Sequence, residues 1–264
     1  MHPIRRVDSH IVSEDEGNAR AIGRYMASDA GDCKRKLYFL YSNYEPTDPH
    51  DAHTLRKFAY GIKIEEQEIE WLYASKQGLD DHVRVNKPNP EAPSTVVAGE
   101  MDVILESKEG IAYIGEIKSG YGPSFKNDVL RGKPNARHLL QGMLYLSLSD
   151  YDHLVYIYID RGTCDRTEHH LTLDNGIAIV NNANTNAHVS TIYKGFAYLH
   201  KCLKNNYVPK ADFKQVYTSD DIYTLRSKGK LSTARYNKWQ SGEESIGDWE
   251  CKGCVFRSLC SDTP

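Results

Sequence analysis

"IAYIGEIKSG", residues 111–120, starts as a buried strand and ends in two charges. Ile111, Tyr113, Ile114 and Ile117 are residue types that a pleated, half-buried surface favours. Glu116 and Lys118 lie two residues apart, so a strand presents both on one face. Burying a charge is costly unless it is paired or holds a metal. This strand therefore carries a polar pair into an apolar layer, and its partners must come from elsewhere in the chain.

The segment before it, "STVVAGEMDVILE" (94–106), reads as the other arm of a hairpin turning at Ser107–Gly110. If Glu106 pairs with Ala112, Asp102 stands directly opposite Glu116, about 5 Å away at Cβ. A register one residue over sends the two acids to opposite faces, unless a bulge near Gly115 restores them. Carboxylates that close repel unless a divalent cation lies between them.

Further out, residues 19–41 read as a short helical region holding Cys33 and Arg35, and 52–76 as a long amphipathic helix. The inward stripe of that helix is Leu55, Phe58, Ile62, Ile69 and Leu72, and Glu65 or Glu66 interrupts it. "KPNPEAP" (87–93) breaks the chain. After the hairpin, a basic loop from Tyr121 to Arg137 leads into the helix "ARHLLQGMLYLSLS" (136–149). The strands "HLVYIYID" (153–160) and "TEHHLTLD" (167–174) follow, then a polar loop "NNANTNAH" (181–188), a helix near 187–204 and a Tyr-rich tail. The order predicts an α/β fold with a central mixed sheet flanked by helices.

With 264 residues and 40% hydrophobic content the chain can bury a sizeable core. The net charge of −3 excludes a globally basic nucleic-acid binder, yet residues 201–240 hold nine Lys/Arg against three Asp. Lys126, Arg131 and Lys133 make a second local patch. Such patches either bind phosphate or are solvated loops. The N-terminus has no apolar run and no segment approaches a membrane span, so the expectation is a cytoplasmic protein, or one of the host cytoplasm if virus-encoded. The tail "CKGCVFRSLC" sets Cys251, Cys254 and Cys260 in a C-x₂-C-x₅-C array, with Cys33, Cys164 and Cys202 available as a fourth thiol. Four thiolates suit zinc or an iron–sulfur cluster, and spacing alone does not separate them.

Gly99–Glu100–Met101–Asp102 followed by Glu116–Ile117–Lys118 resembles the G-x-x-D and E-x-K elements of the PD-(D/E)XK nuclease superfamily. Gln141 and Tyr145, one helical turn apart, resemble the Q-x-x-x-Y element of its RecB-type branch. Relatives carry a metal-binding His on the first helix shortly after a Gly. Here the chain reads Gly61–Ile62–Lys63–Ile64–Glu65, and the resemblance puts Glu65 in that place. The iron–sulfur-stapled members, including the CRISPR-associated RecB-like family and AddB-type helicase–nucleases, carry one Cys before the core and three after it. "DCKRKLYF" (32–39) matches the upstream segment, so the resemblance implies Cys33, Cys251, Cys254 and Cys260 as cluster ligands, leaving Cys164 and Cys202 as free thiols.

The resemblance implies one nuclease domain over 1–264, with a restriction-endonuclease-like core and an iron–sulfur-stapled helical tail. Its parts are an N-terminal helical segment at 17–50, a catalytic core at 51–175 and a C-terminal helical, Cys-rich region at 187–264. The implied activity is Mg²⁺- or Mn²⁺-dependent hydrolysis of DNA phosphodiesters, as an exonuclease on ends or single strands in recombination, repair or DNA processing. Asp102, Glu116 and Lys118 would be catalytic, and Glu65, Asp102, Glu116 and the Ile117 carbonyl would hold the metal. Gln141, Tyr145, Lys126, Arg131 and Lys133 would contact DNA. A [4Fe–4S] cluster is implied, with zinc as the alternative, and a helicase, recombinase or CRISPR adaptation protein as partner. A non-catalytic DNA-binding adaptor and a zinc-stapled endonuclease are the other readings.

Overall fold

A computed structural model describes residues 3–13, 20–122, 125–126, 129 and 132–261. Among the described residues eight strands form one mixed sheet, and helices cover both faces. Strand β1 (Arg24–Met26) and a single 3-10 turn precede helix α2 (Lys34–Tyr41), where the sequence suggested helix alone. Helix α1 (Pro3–Ser13) packs on the long helix α3 (Ala52–Ala74), which Asp51 caps by accepting from the Thr54 amide.

The hairpin of β3 (Ala92–Glu106) and β4 (Ala112–Gly120) has the expected register: Glu106 pairs with Ala112, and the pairing runs to Val103 opposite Gly115. Helix α4 (Ala136–Leu148) then carries the chain to β5 (Leu154–Asp160), which lies parallel to β4. Every residue of β5 is buried, as befits a strand covered on both faces. Strands β6 (Arg166–Asp174), β7 (Ile177–Val180) and β8 (Ala183–His188) extend the sheet as an antiparallel meander. Part of the polar stretch read as a loop is thus the edge strand β8, whose exposed position tolerates Asn and Thr.

Like β1, β7 and β8, strand β2 (Gly78–Asn89) is not legible as a strand in the sequence; it pairs with nearly the whole of β3. "KPNPEAP" is the turn between them rather than a break, closed by the Glu91 amide donating to Asn89 Oδ1 at 2.9 Å. Pro88 is accommodated because β2 is an edge strand with a register shift at that point.

One face of the sheet holds the main core, built by Tyr25, Phe39, Met143, Leu144, Tyr156, Phe196 and Leu199 from the sheet, α2, α4 and α5 (Val189–Lys204). The other face is a smaller layer of Val103, Leu105, Ile117, Val155, Ile157 and Ile159 under Ile69 of α3. The predicted stripe of α3 is only half right. Ile69 is buried, but Phe58 and Ile62 are 51% and 55% exposed. The tail contributes α6 (Ser219–Ser227), α7 (Thr233–Gln240), α8 (Trp249–Lys252) and α9 (Arg257–Ser261), with a small core of Ile222, Leu231 and Ile246 under α6. Among the described residues no helix is long and apolar enough to cross a membrane.

Candidate active site

Strand β3 has β2 along one edge, so its other edge carries β1 at Val96–Ala98 and β4 from Val103 onward. Residues 99–102 fall in the gap between those two partners, and the Glu100 carbonyl there is met by a side chain instead. Tyr145 Oη donates to the Glu100 carbonyl at 2.6 Å, and Gln141 Nε2 donates to Tyr145 Oη at 2.8 Å. Gly99 makes this possible, since a Cβ there would lie 2.5 Å from the Tyr145 ring. Asp102 Oδ2 accepts from the Ile117 amide at 2.8 Å, bridging the two strands where the ladder stops.

One step beyond the last β3–β4 pair, Asp102 and Glu116 face each other across the splayed ends. Lys118 joins them: its Nζ lies 2.7 Å from Glu116 Oε1 and 3.6 Å from Asp102 Oδ2. Glu116 is 0% exposed. Its Oε1 contact with the ammonium lacks hydrogen-bond geometry and Oε2 has no partner at all. A buried carboxylate so poorly satisfied is rare in a folded protein.

The electrostatics follow from that crowding. Burial first, and repulsion by Asp102 second, push the Glu116 carboxyl above the usual range, against the pull of Lys118. Burial opposes the Lys118 ammonium, but Glu116 and Asp102 outweigh it and hold Lys118 charged. Glu65 is half-buried and is pushed up by burial and then by Asp102. Glu66 is exposed and paired with Lys63 at 2.6 Å. The roll of α3 therefore turns Glu65, not Glu66, toward the acids.

Among the described residues no group of three His, Cys, Asp or Glu side chains is gathered as a set for one metal ion. The Lys118 ammonium stands between the two strand acids. The orphaned oxygens of Glu116, aimed into the gap beside Asp102, are nevertheless what a divalent cation would satisfy.

The remaining expected site residues are placed unequally. Tyr145 is 2% exposed and holds strand β3, so it is a positioning residue in this geometry. Lys126 is exposed and lies 3.6 Å from the buried Asp160; Lys133 is exposed; Arg131 lies outside the described residues. Three residues near the site were not singled out from sequence. His138 Nδ1 lies 2.9 Å from Tyr158 Oη and is pushed down to about 3 by burial, then by Lys118 and Arg137. His82 adopts φ 49° in β2, directly across from Asp102 by register, a left-handed conformation uncommon for a non-Gly residue. Arg161 ties α3 to the end of β4. No local pattern marks any of them.

Cys33, Cys251, Cys254 and Cys260 line one cavity with Lys36, Arg137 and Glu250. Burial first, then Cys33 and Cys254, raise the Cys251 thiol to about 11. Among the described residues these thiols are not gathered as a set for one metal ion, and the crowding favours their protonated form; a cationic group would reverse that preference. Arg35 supports the wall, with Nε donating to the Pro209 carbonyl at 2.8 Å and Nη1 4.0 Å from Cys260 Sγ. Of the other cysteines, Cys164 is exposed and Cys202 is a core residue at 3% exposure.

No family model and no curated protein matches the chain. Similar solved structures exist. One, described as the crystal structure of SSO0001, has a TM-score of 0.56 at 16% identity, over 98% of this chain and 96% of that one. That likeness is one of fold. An alkaline exonuclease (LHK-Exo) from Laribacter hongkongensis has a TM-score of 0.44 at 11% identity, over 85% of this chain and 100% of that one. The same exonuclease in complex with dAMP has a TM-score of 0.43 at 12% identity, over 80% and 96%.

Proposed function

We propose that this chain is a DNA nuclease of the PD-(D/E)XK type that hydrolyses phosphodiesters with Mg²⁺ or Mn²⁺, as an exonuclease on ends or single strands. The observation that carries it is the fully buried Glu116, with an oxygen lacking any partner, held opposite Asp102 and against Lys118. Asp102, Glu116 and Glu65, with the Ile117 carbonyl, would hold the cation. Bound there, the cation would polarise the scissile phosphate and lower the pKa of a coordinated water.

The chain's own groups do the rest. Asp102 fixes β4 through the Ile117 amide, which keeps Glu116 and Lys118 in register with β3. Lys118, held cationic by its two acid neighbours, places a fixed positive charge where negative charge develops on the phosphate; such a charge is worth about 10²–10³-fold in rate. Tyr145 and Gln141 set the unpaired edge of β3 at Glu100, and Lys126, Lys133 and Arg131 would contact the DNA backbone. Cys33, Cys251, Cys254 and Cys260 would hold a [4Fe–4S] cluster, or zinc, as a staple between the two ends of the chain.

The test is cleavage of end-labelled DNA with and without Mg²⁺ or Mn²⁺, read as a product ladder. Metal-dependent mononucleotide or short-oligonucleotide release supports the reading. Binding without cleavage at any metal concentration would point to the adaptor role. Nicking of closed circles would point to an endonuclease.

A further inference from the structure

The turn after β5 and the first residue of β6 send two arginines to α3, Arg161 and Arg166, and their contacts fall on either side of Glu65. Arg161 is the first. Its backbone amide donates to the Gly120 carbonyl at 2.8 Å, continuing the β4–β5 ladder past the last residue of β4. Its side chain donates twice to Ser119 Oγ, from Nε at 3.0 Å and Nη2 at 2.8 Å, and from Nη1 to the Lys57 carbonyl at 2.9 Å. Ser119 is the residue after Lys118.

Lys57 is the helical partner of Gly61, four residues on. A carbonyl inside a helix is normally screened by side chains. At Gly61 there is none, and a Cβ there would lie 2.9 Å from Arg161 Nη2. Gly61 is thus the window through which the guanidinium reaches the helix backbone. The second arginine, Arg166, grips Glu68 with two parallel bonds, Nε to Oε2 at 2.9 Å and Nη2 to Oε1 at 2.7 Å, and stacks over Trp71 at 5.1 Å. Glu68 is buried, so this contact fixes the helix rather than decorating its surface.

Glu65 lies one turn from Gly61 and one turn from Glu68. The first half of α3 leaves Phe58, Tyr60 and Ile62 exposed, meets the small apolar layer at Ile64 and carries α1 on its outer side through Arg56 and Asp8, so its roll rests on few apolar contacts with the sheet. We infer that Arg161 and Arg166 form a two-point clamp whose task is positional: it fixes the roll of α3 so that Glu65 faces Asp102 and Glu116. Arg161 and Arg166 are positioning residues, not catalytic ones. This inference rests on the proposed metal site.

Direct titration of Mn²⁺ into the purified protein, reading free Mn²⁺ by electron paramagnetic resonance, tests it without relying on cleavage. Loss of a residue that orients a metal ligand weakens affinity about 10–100-fold, and the lower end is expected for Arg161→Ala. Gly61→Ala is the second variant: it strengthens the helix locally yet displaces only the guanidinium, so it folds and should weaken Mn²⁺ in the same direction. Arg161→Lys should not restore affinity, since a lysine cannot bridge Ser119 and Lys57 together. The decisive arm is the double variant. Arg161→Ala with Glu65→Gln should be no worse than Glu65→Gln alone, because both act through one ligand. Unchanged Mn²⁺ affinity in folded Gly61→Ala and Arg161→Ala, or full additivity with Glu65→Gln, would overturn the clamp while leaving the metal site standing. A Glu116→Gln protein that binds Mn²⁺ like the unaltered chain would remove the site itself, and the clamp with it.

Discussion

The acid–lysine cluster and the cysteine cavity are both knots of ionisable groups in a partly dry setting, but they are assembled in opposite ways. Asp102, Glu116 and Lys118 sit on two strands of one hairpin, and the sheet register alone brings them together. The cysteines come from the two ends of the chain, Cys33 just before α2 and the other three beside α8 and α9, and only the finished fold unites them. In the first cluster Asp102 bridges the strands through the Ile117 amide, while the buried Glu116 is left poorly satisfied. The second, if it holds the proposed cluster, would itself be part of what closes the scaffold. The difference teaches that loss of function and loss of folding should separate cleanly between the two.

The largest expected effect is at Glu116. Glu116→Gln should reduce cleavage by more than about 10³-fold, beyond the loss typical for one positioned charge. Thermal stability should not fall, since a buried, poorly satisfied carboxylate is removed. A large drop in melting temperature would break the contrast by showing that the fold depends on the acids.

Cys33→Ala should do the reverse and act first on folding. A link closing a loop of more than two hundred residues is worth about 4–5 kcal/mol in the chain-entropy model, and metal-coupled folding adds to it. Differential scanning fluorimetry should show a fall of roughly ten degrees. Cys164→Ala, at an exposed site, should change nothing, while Cys202→Ala should cost about 1 kcal/mol by leaving a small core cavity. Anaerobically purified protein that is brown, with iron and sulfide by analysis, would establish the cluster; stoichiometric zinc in a colourless preparation would replace it.

A pH titration sharpens the comparison further. Glu65 and Glu116 have raised folded-state pKa values, so the folded protein binds more protons than the unfolded chain between the ordinary carboxylate range and neutrality. The sign is then fixed: without metal, stability should fall as pH rises through that window, and Glu116→Gln should flatten the slope. Added Mn²⁺ should flatten it too. Stability rising over the same window would contradict the burial of these acids.

The smallest effect is expected behind the site. Tyr145→Phe removes one hydrogen bond to the Glu100 carbonyl and should cost about 1 kcal/mol. Gly99→Ala should cost more, about 1–3 kcal/mol, because its Cβ would press on the Tyr145 ring. Wild-type DNA affinity in Tyr145→Phe would confirm a positioning role over a contact role.

The sequence by itself put Asp102 on one arm of a hairpin and Glu116 and Lys118 on one face of the other, but left two registers open; the structure has Glu106 opposite Ala112, and that single pair fixes the rest. The sequence also determined α4 and its Gln141–Tyr145 face, where one helical turn is enough. It did not reveal β2, because prolines that read as a break are harmless on an edge strand. The exposure of Phe58 and Ile62 was likewise hidden, since helical periodicity says which residues share a face but not where the underlying sheet ends. Helical periodicity left Glu65 and Glu66 both open and the resemblance pointed to Glu65; the roll of α3 leaves Glu65 half-buried and Glu66 exposed. That roll is set by Arg161 and Arg166 from a turn about a hundred residues away, a distance over which no local pattern carries information.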